Sequence, residues 1–382
     1  ILKAALGLAI MFTEGMTSQA NDALNRAIEL AKGLHDAQWQ LRAQLGLIVF
    51  FHRRGDLKNA LAAIGEIEKS AVATYDPAAT AMTGSVKSAS LFLHGEYGSA
   101  LTLARKSHEY FRNHSDISQI GRWGLNHSIY AQCVIGRAYW HQGLFDHAIK
   151  AMNSVYAEAE ASGNPASICM ALTWCSCSLF MSLEELEQAA ASIERLKEVA
   201  QDNDFQSYFY SAIGYHGRLL FLKGDLESGE RLLRQALSKL SEARYENMYV
   251  PFLGHLAELL AADGRVDEGF LASTESLDRT KSCEAFWWLP DALRIHGEVL
   301  TSLEGSGSRS AEDYLRQSIE LSKRQGGLGW QIRAARSLAE LLRQQNRTDE
   351  ASELLNDTLS KFTEGFETVP FRRTRALLEE MR

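Results

Sequence analysis

The sequence predicts an all-α chain: a superhelical solenoid of about nine helix-turn-helix repeats with a C-terminal capping helix. Three observations carry this. A small residue, Ala or Gly, recurs at 20, 60, 100, 148, 189, 229, 269, 311 and 351, with gaps of 40, 40, 48, 41, 40, 40, 42 and 40 residues. Five residues before each stands a turn slot: Gly15, Gly55, Gly95, Gly143, Glu184, Gly224, Gly264, Ser306 and Asn346. A second small slot lies seven residues before the turn, at Gly136, Cys177, Gly217, Ala257 and Ala339, with Gly297 after a turn two residues longer. A period of this size marks stacked supersecondary units, each touching its neighbours.

Residues 204–242 show the unit. Ile213, Gly217, Leu220 and Leu222 recur at helical spacing, Gly224 interrupts, and Leu226, Leu232, Leu233, Ala236, Leu237 and Leu240 resume the period. That is helix A, a tight turn and helix B. Glycine in the turn slot reaches the left-handed conformation that ends a helix. The two small slots let the helices approach closely.

Individual repeats depart from the pattern. Pro77 and Pro165 follow Asp76 and Asn164, an N-cap and first-turn pair. The 48-residue interval, containing Asn113 to Asn126, implies an extended loop or lengthened helix between repeats three and four. Repeat five lacks a turn glycine. Pro251 and Pro290 fall further into helix A and are expected to delay its start or kink it. The cluster Phe205, Tyr208, Phe209, Tyr210 and the run Phe286-Trp287-Trp288 occupy extra N-terminal turns of their A helices and read as inter-repeat packing, which would explain the long repeat. Residues 1–362 form the array. Residues 363–382 form a loop and a cap, in which Phe371, Leu377, Leu378 and Met381 dock on repeat nine while Arg372, Arg373, Glu379 and Glu380 face water.

The spacing resembles the tetratricopeptide repeat. Gly136-Arg-Ala-Tyr139-Trp-His-Gln-Gly143, followed by Ala148, carries that family's small residue, Tyr, turn Gly and helix-B Ala in register. The unit here is longer than the usual length of about 34 residues and lacks the closing proline. The stretch 311–382 is more specific. Ala311-Glu-Asp-Tyr-Leu-Arg-Gln-Ser, Ser322-Lys-Arg-Gln-Gly, Trp330-Gln-Ile-Arg-Ala-Ala-Arg-Ser-Leu-Ala339 and Phe362-Thr-Glu-Gly-Phe-Glu-Thr resemble the C-terminal end of bacterial STAND-type signalling ATPases of the nucleotide-cyclase or winged-helix regulator type. The resemblances imply a right-handed superhelix and a cytoplasmic sensor array that relays ligand or partner binding to an upstream ATPase. A start at Ile1, already inside a helical pattern, fits a fragment of such a chain.

Composition narrows the function. Of 382 residues, 46% are hydrophobic, enough for a continuous core. A net charge of −8 argues against a dedicated nucleic-acid binder. Cys133, Cys169, Cys175, Cys177 and Cys283 form no CxxC, and read as reduced thiols. No apolar run of the length of a membrane span stands out, and no signal peptide. P-loop, HExxH, GxSxG and dinucleotide motifs are absent, so no enzyme, cofactor or metal site is expected.

What remains is a binding surface. In the repeat family, A helices line the concave face. The positions matching that face include Arg42 and Arg53, then Tyr130, Arg137, Trp140, His141, Trp174 and Arg218, then Arg294, Glu298, Arg333, Arg336 and Glu340. Tyr130, Arg137, Trp140, His141, Trp174 and Arg218 are the candidate partner-binding residues, since Arg, Trp and Tyr most often dominate interfaces. The alternative for the tryptophans is packing between helices. Arg137 and Arg218 share one repeat position, and Glu258, Glu298 and Glu340 continue it, which suggests a charge-polarised groove. The expected guest is a protein segment or small ligand. A stand-alone adaptor and a substrate-positioning part of an enzyme are the alternative roles.

Overall fold

The computed structural model describes residues 2–114 and 122–381. Among them stand nineteen helices and no strand. The pairs are α1 (Leu2–Thr13) with α2 (Ser18–Gly33), α3 (Ala37–Arg54) with α4 (Leu57–Ala73), and α5 (Pro77–Leu93) with α6 (Tyr97–Asn113). Next come α7 (His127–His141) with α8 (Phe145–Ser162), α9 (Pro165–Ser182) with α10 (Leu186–Asp202), and α11 (Gln206–Leu222) with α12 (Leu226–Glu242). Then follow α13 (Glu246–Ala262) with α14 (Val266–Ser282), α15 (Leu289–Glu304) with α16 (Arg309–Gln325), α17 (Leu328–Gln344) with α18 (Thr348–Leu359), and the cap α19 (Val369–Glu379). Odd-numbered helices up to α17 are the A helices.

The small slots are the points of closest approach inside a pair. A Cβ on Gly217 would lie 2.9 Å from the Gly229 carbonyl oxygen, and one on Gly269 would lie 3.1 Å from that of Ala257. Two turn slots adopt the left-handed conformation without glycine, with φ of 58° at Glu184 and 61° at Asn346, whereas in repeat eight the left-handed residue is Gly305 and not the expected Ser306. A second left-handed slot follows seven of the nine B helices fifteen residues after the small residue, at His35, Tyr75, Gly163, Asp204, Arg244, Glu284 and Gly326. Asp36, Asp76 and Asn164 cap the A helices that follow.

The expected insertion between repeats three and four falls partly on 115–121, outside the described residues; on its far side Asn126 caps α7. Pro290 sits in the first turn of α15, so that helix starts late, whereas Pro251 lies inside α13, which runs through it. The cap starts at Val369, with Phe371, Leu377 and Leu378 buried against repeat nine as its pattern requires. One helix, α9, is long and apolar enough to cross a membrane by composition, at a mean hydropathy of 1.3, a span the sequence pattern did not single out; 61% of it is buried among its neighbours.

The superhelix winds so tightly that its second turn seats on its first. A helices five repeats apart touch: α1 meets α11, α3 meets α13, and α7 meets α17. Two backbone hydrogen bonds cross the seam, from Met16 N to the Ala243 carbonyl (2.8 Å) and from Trp287 N to the Leu93 carbonyl (3.1 Å). The loop before the cap continues the seam: Glu364 receives His147 N (3.0 Å), and Gly365 N donates to Asp146 (3.1 Å). The aromatic clusters before α11 and α15 therefore serve this seam. Tyr208 is fully buried near Phe12, and Trp287 beside Phe92, five repeats away. The expected inter-repeat packing thus includes the seam, beside contacts with adjacent repeats, where Trp288 meets His255 and Trp330.

The seam divides the turn glycines into two classes. A Cβ on Gly15 would lie 2.5 Å from the Ala243 carbonyl oxygen, and one on Gly143 would lie 2.8 Å from Leu328. Gly224 and Gly264, on the second turn, face open space. Gly264→Ala is expected to cost about 1 kcal/mol for its positive φ. Gly15→Ala, at a similarly positive φ, is expected to cost about 1–3 kcal/mol more, because the Ala243 backbone has to move. Chemical denaturation of both variants checks this; equal losses would show that the seam is not closed there.

Candidate functional site

The A helices face an interior that the second turn has roofed over. Two adjoining cavities share Arg137 and Trp174 as their common wall. Tyr130 lines the first, and Trp140, His141 and Arg218 line the second. All six candidate residues thus meet around one interior. The expected exposure of the arginines is corrected: Arg137 and Arg218 are buried, as are Trp140 and His141, and Tyr130 and Trp174 are half-buried. Trp330, five repeats on, covers Trp140 and His141, and packing between helices, the alternative for the tryptophans, holds for Trp140.

The wall between the cavities rests on an irregularity in α9. Its segment Leu172–Cys177 is a π turn. Thirteen residues normally separate the inter-repeat slot from the following small slot, as from Asp204 to Gly217, but fourteen separate Gly163 from Cys177. The π turn absorbs the extra residue. It places Trp174 against the guanidinium of Arg137, and the Thr173 carbonyl accepts a hydrogen bond from Tyr215 (3.0 Å). Cys175 and Cys177, in the same turn, are buried free thiols.

Beyond the shared Arg137, the second cavity carries its own charge pairs. Arg218 pairs with Glu258 (2.7 Å), and Arg294 with Glu258 (2.8 Å), Asp291 (2.6 Å) and Glu298 (2.7 Å). Arg333 lies 3.5 Å from Asp291. Burial pushes the Glu258 carboxyl upward, but Arg218 and Arg294 outweigh it and hold it well below the ordinary range. Burial likewise opposes Arg294, which its three carboxylates raise well above the usual arginine value. The charge ladder therefore closes on itself here and offers no unspent charge along this stretch. Trp140 packs edge-on against Trp330, with ring centroids 4.6 Å apart. His141 is wedged among Phe92, Tyr97 and Trp330, and its Nδ1 lies 2.8 Å from the Arg137 carbonyl. Both are packing residues in this arrangement.

The first cavity is different. Arg137 stands over Phe92, Trp287 and Trp174, with its guanidinium carbon 4.1, 4.7 and 4.9 Å from their centroids. Among the described residues no carboxylate pairs with it. Burial lowers its pKa to about 10, so it stays charged near neutral pH. Arg53 stands over Tyr208, Phe12 and Tyr245 at 4.7, 4.8 and 5.2 Å, and donates to the Tyr208 hydroxyl. Cation–ring contacts of this kind are worth about 2 kcal/mol when desolvated. Tyr130 bonds His52 Nδ1 (3.1 Å), and His52 Nε2 bonds Ser90 (2.7 Å).

Sequence reasoning included Arg53 among the groove arginines without setting it among the six, and it missed His52, Phe12, Phe92, Tyr208, Tyr245 and Trp287 as lining or caging residues. Each cage joins residues from both turns, and only the pitch of the superhelix brings them together.

No protein-family model matches the chain, and no curated protein sequence matches it. Solved structures do. A Rap protein complexed with competence and sporulation factor is 13% identical, with a TM-score of 0.68 over 100% of this chain and 99% of that one. The Rap conjugation gene regulator of plasmid pLS20, complexed with the Phr* peptide, is 12% identical, with a TM-score of 0.57 over 89% and 95%. The apo quorum sensor NprR from B. thuringiensis is 14% identical, with a TM-score of 0.52 over 94% and 97%. These likenesses show the fold, a tetratricopeptide-like helical repeat array.

Burial holds His52 and His141 down to about 3, so both are neutral in the folded protein near pH 5. In the unfolded chain a histidine takes up a proton below about 6.5. Between those values the unfolded state binds more protons, so stability falls as pH drops, by up to about 1.4 kcal/mol per pH unit for each histidine. Denaturant midpoints at pH 7.5, 6.5 and 5.5 are expected to fall in that order. His141→Phe, which keeps a ring in the same aromatic cluster, is expected to flatten the decline between 6.5 and 5.5; an unchanged slope would contradict the buried neutral state.

Proposed function

We propose that this chain is a non-catalytic sensor array that binds a short peptide segment inside its superhelix. The observation that carries the reading is Arg137: a buried guanidinium in a three-ring cage, at the wall between two cavities, without a carboxylate partner among the described residues. Structural packing alone gives no reason to bury such a charge, since isolated buried ions are costly. Aromatic and arginine side chains converging on a concave space are the usual anchors of a guest. Two of the similar structures hold, by their description, a factor and a peptide, and a third is described as a quorum sensor. Their shared fold makes an enclosed peptide guest a reasonable occupant.

The finer role follows from the resemblance of 311–382 to the ends of STAND-type signalling ATPases. On that reading the array is the sensing part of a larger regulator, and guest binding alters how the two superhelical turns sit together. Arg137 and Trp174 contact the guest, Tyr130 borders it, and Trp140, His141 and Arg218 shape the adjoining wall.

The test is thermal denaturation of the parent chain, Arg137→Ala and Lys239→Ala in the presence of pooled random pentapeptides. Lys239 pairs with Glu242 on α12, outside the cavity lining, and serves as the charge control. Pools that contain a guest should stabilise the parent and Lys239→Ala by about 2.7 kcal/mol at a hundredfold excess over Kd, and Arg137→Ala much less. No response from the parent, or equal responses from all three, would place the site elsewhere.

A further inference from the structure

The charge inventory of the interior separates its two cavities. The second contains or adjoins Arg218, Arg294 and Arg333, and each has a carboxylate within 3.5 Å. The first has Arg53 and Arg137 in its lining and, among the described residues, no Asp or Glu. Both arginines are more than nine-tenths buried. Among the described residues, Arg53 Nη1 and Arg137 Nε have no hydrogen-bond partner. His52, in that lining, is held neutral by burial. Among the described residues, Arg218, Arg294 and Arg333 thus meet carboxylates, whereas Arg53 and Arg137, the latter on the wall between the cavities, do not.

We infer that Arg53 and Arg137 together form an anion site in the first cavity, and that the guest presents a carboxylate to it. This rests on the reading that the interior receives a guest and adds what the guest must carry. A guanidinium lying on a ring face keeps its in-plane N–H donors free, and those are the donors that grip a carboxylate in bidentate fashion. The rings hold both cations in place before the guest arrives, so little ordering entropy is lost on binding. Tyr130 adds a hydroxyl to the same lining. The remaining walls, including Val49, Leu125, Val134 and Met170, are apolar. An anion attached to an apolar body suits that mixture; inorganic phosphate has no apolar part and is costlier to strip of water. The carboxylate comes either from a peptide or from a free organic acid.

The probes are sodium hexanoate, its neutral counterpart hexanamide, sodium phosphate and sodium chloride at matched ionic strength. Pentapeptide pools with free and with amidated C-termini are run beside them. The proteins are the parent, Arg53→Met, Arg137→Met and Arg218→Met, all followed by thermal melts. Hexanoate is expected to raise the parent midpoint by about 2 °C or more, and hexanamide and chloride not to. Arg53→Met and Arg137→Met are expected to melt no lower than the parent without probe, because each removes an unpaired buried charge, and to lose the hexanoate response. Arg218→Met leaves Glu258 with one partner fewer; it is expected to melt lower and to keep the response. A response that survives both Arg53→Met and Arg137→Met, the absence of any hexanoate response, or a stronger response to phosphate would overturn the inference. If amidated peptides bind as well as free acids and both methionine variants retain them, the peptide reading stands and the anion site falls. If hexanoate acts and no peptide does, the anion site stands and the peptide reading falls.

Discussion

The seating of the second superhelical turn on the first is the constraint from which the rest of this structure follows. A helical repeat array with a wider pitch would present its A helices to water. Here helices five repeats apart touch, so the concave face becomes an interior. The turn glycines of the first turn serve twice, once for their positive φ and once for the missing side chain that lets Ala243 or Leu328 approach. The segment after α18 belongs to the same arrangement. Beyond capping repeat nine, it reaches repeats four and five through Glu364 on His147 and Arg373 on Glu184.

Roofing the A helices turns an ordinary solvated face into an electrostatic problem, because several of its positions are charged. On one side the sequence solves the problem internally: Glu258, Asp291 and Glu298 meet Arg218, Arg294 and Arg333. On the other side, Arg53 and Arg137 receive aromatic faces and, for Arg53, the Tyr208 hydroxyl, with no carboxylate among the described residues. Ring contacts offset part of the cost of burying a cation without cancelling its charge. That difference gives the interior a direction, with positive potential gathered in the first cavity. The π turn of α9 stands at the boundary and supplies Trp174 to both sides.

Much of the fold was legible in the sequence. Small residues at fixed spacing mark contacts that a side chain would block, and Gly217 against Gly229 is such a contact in the structure. The second turn slot was hidden because His35, Tyr75, Asp204, Arg244 and Glu284 share no residue type; only their fixed offset of fifteen from the small residue unites them. The π turn was present as a single extra residue in the count between Gly163 and Cys177. The six candidate residues do converge on one interior, since the repeat register sets which face of an A helix looks inward. Their exposure was misjudged because pitch is not written locally. It accumulates from small rotations between neighbours, and only its sum brings Trp287 beside Phe92 or Tyr208 beneath Arg53. The cages that surround the two arginines were invisible for the same reason.

The central claim is that the two turns are closed on one another, and native-state hydrogen exchange at two amides tests it most directly. Met16 N–H and Trp287 N–H lie outside the helices and are bonded only across the seam, to Ala243 and Leu93. Amides in open loops exchange with little protection, whereas those in cooperative core units exchange only on larger openings. The account predicts that both amides are protected to the level of the neighbouring A-helix interiors. Exchange of both at the rate of an unbonded loop amide, with the flanking helices still protected, would contradict it.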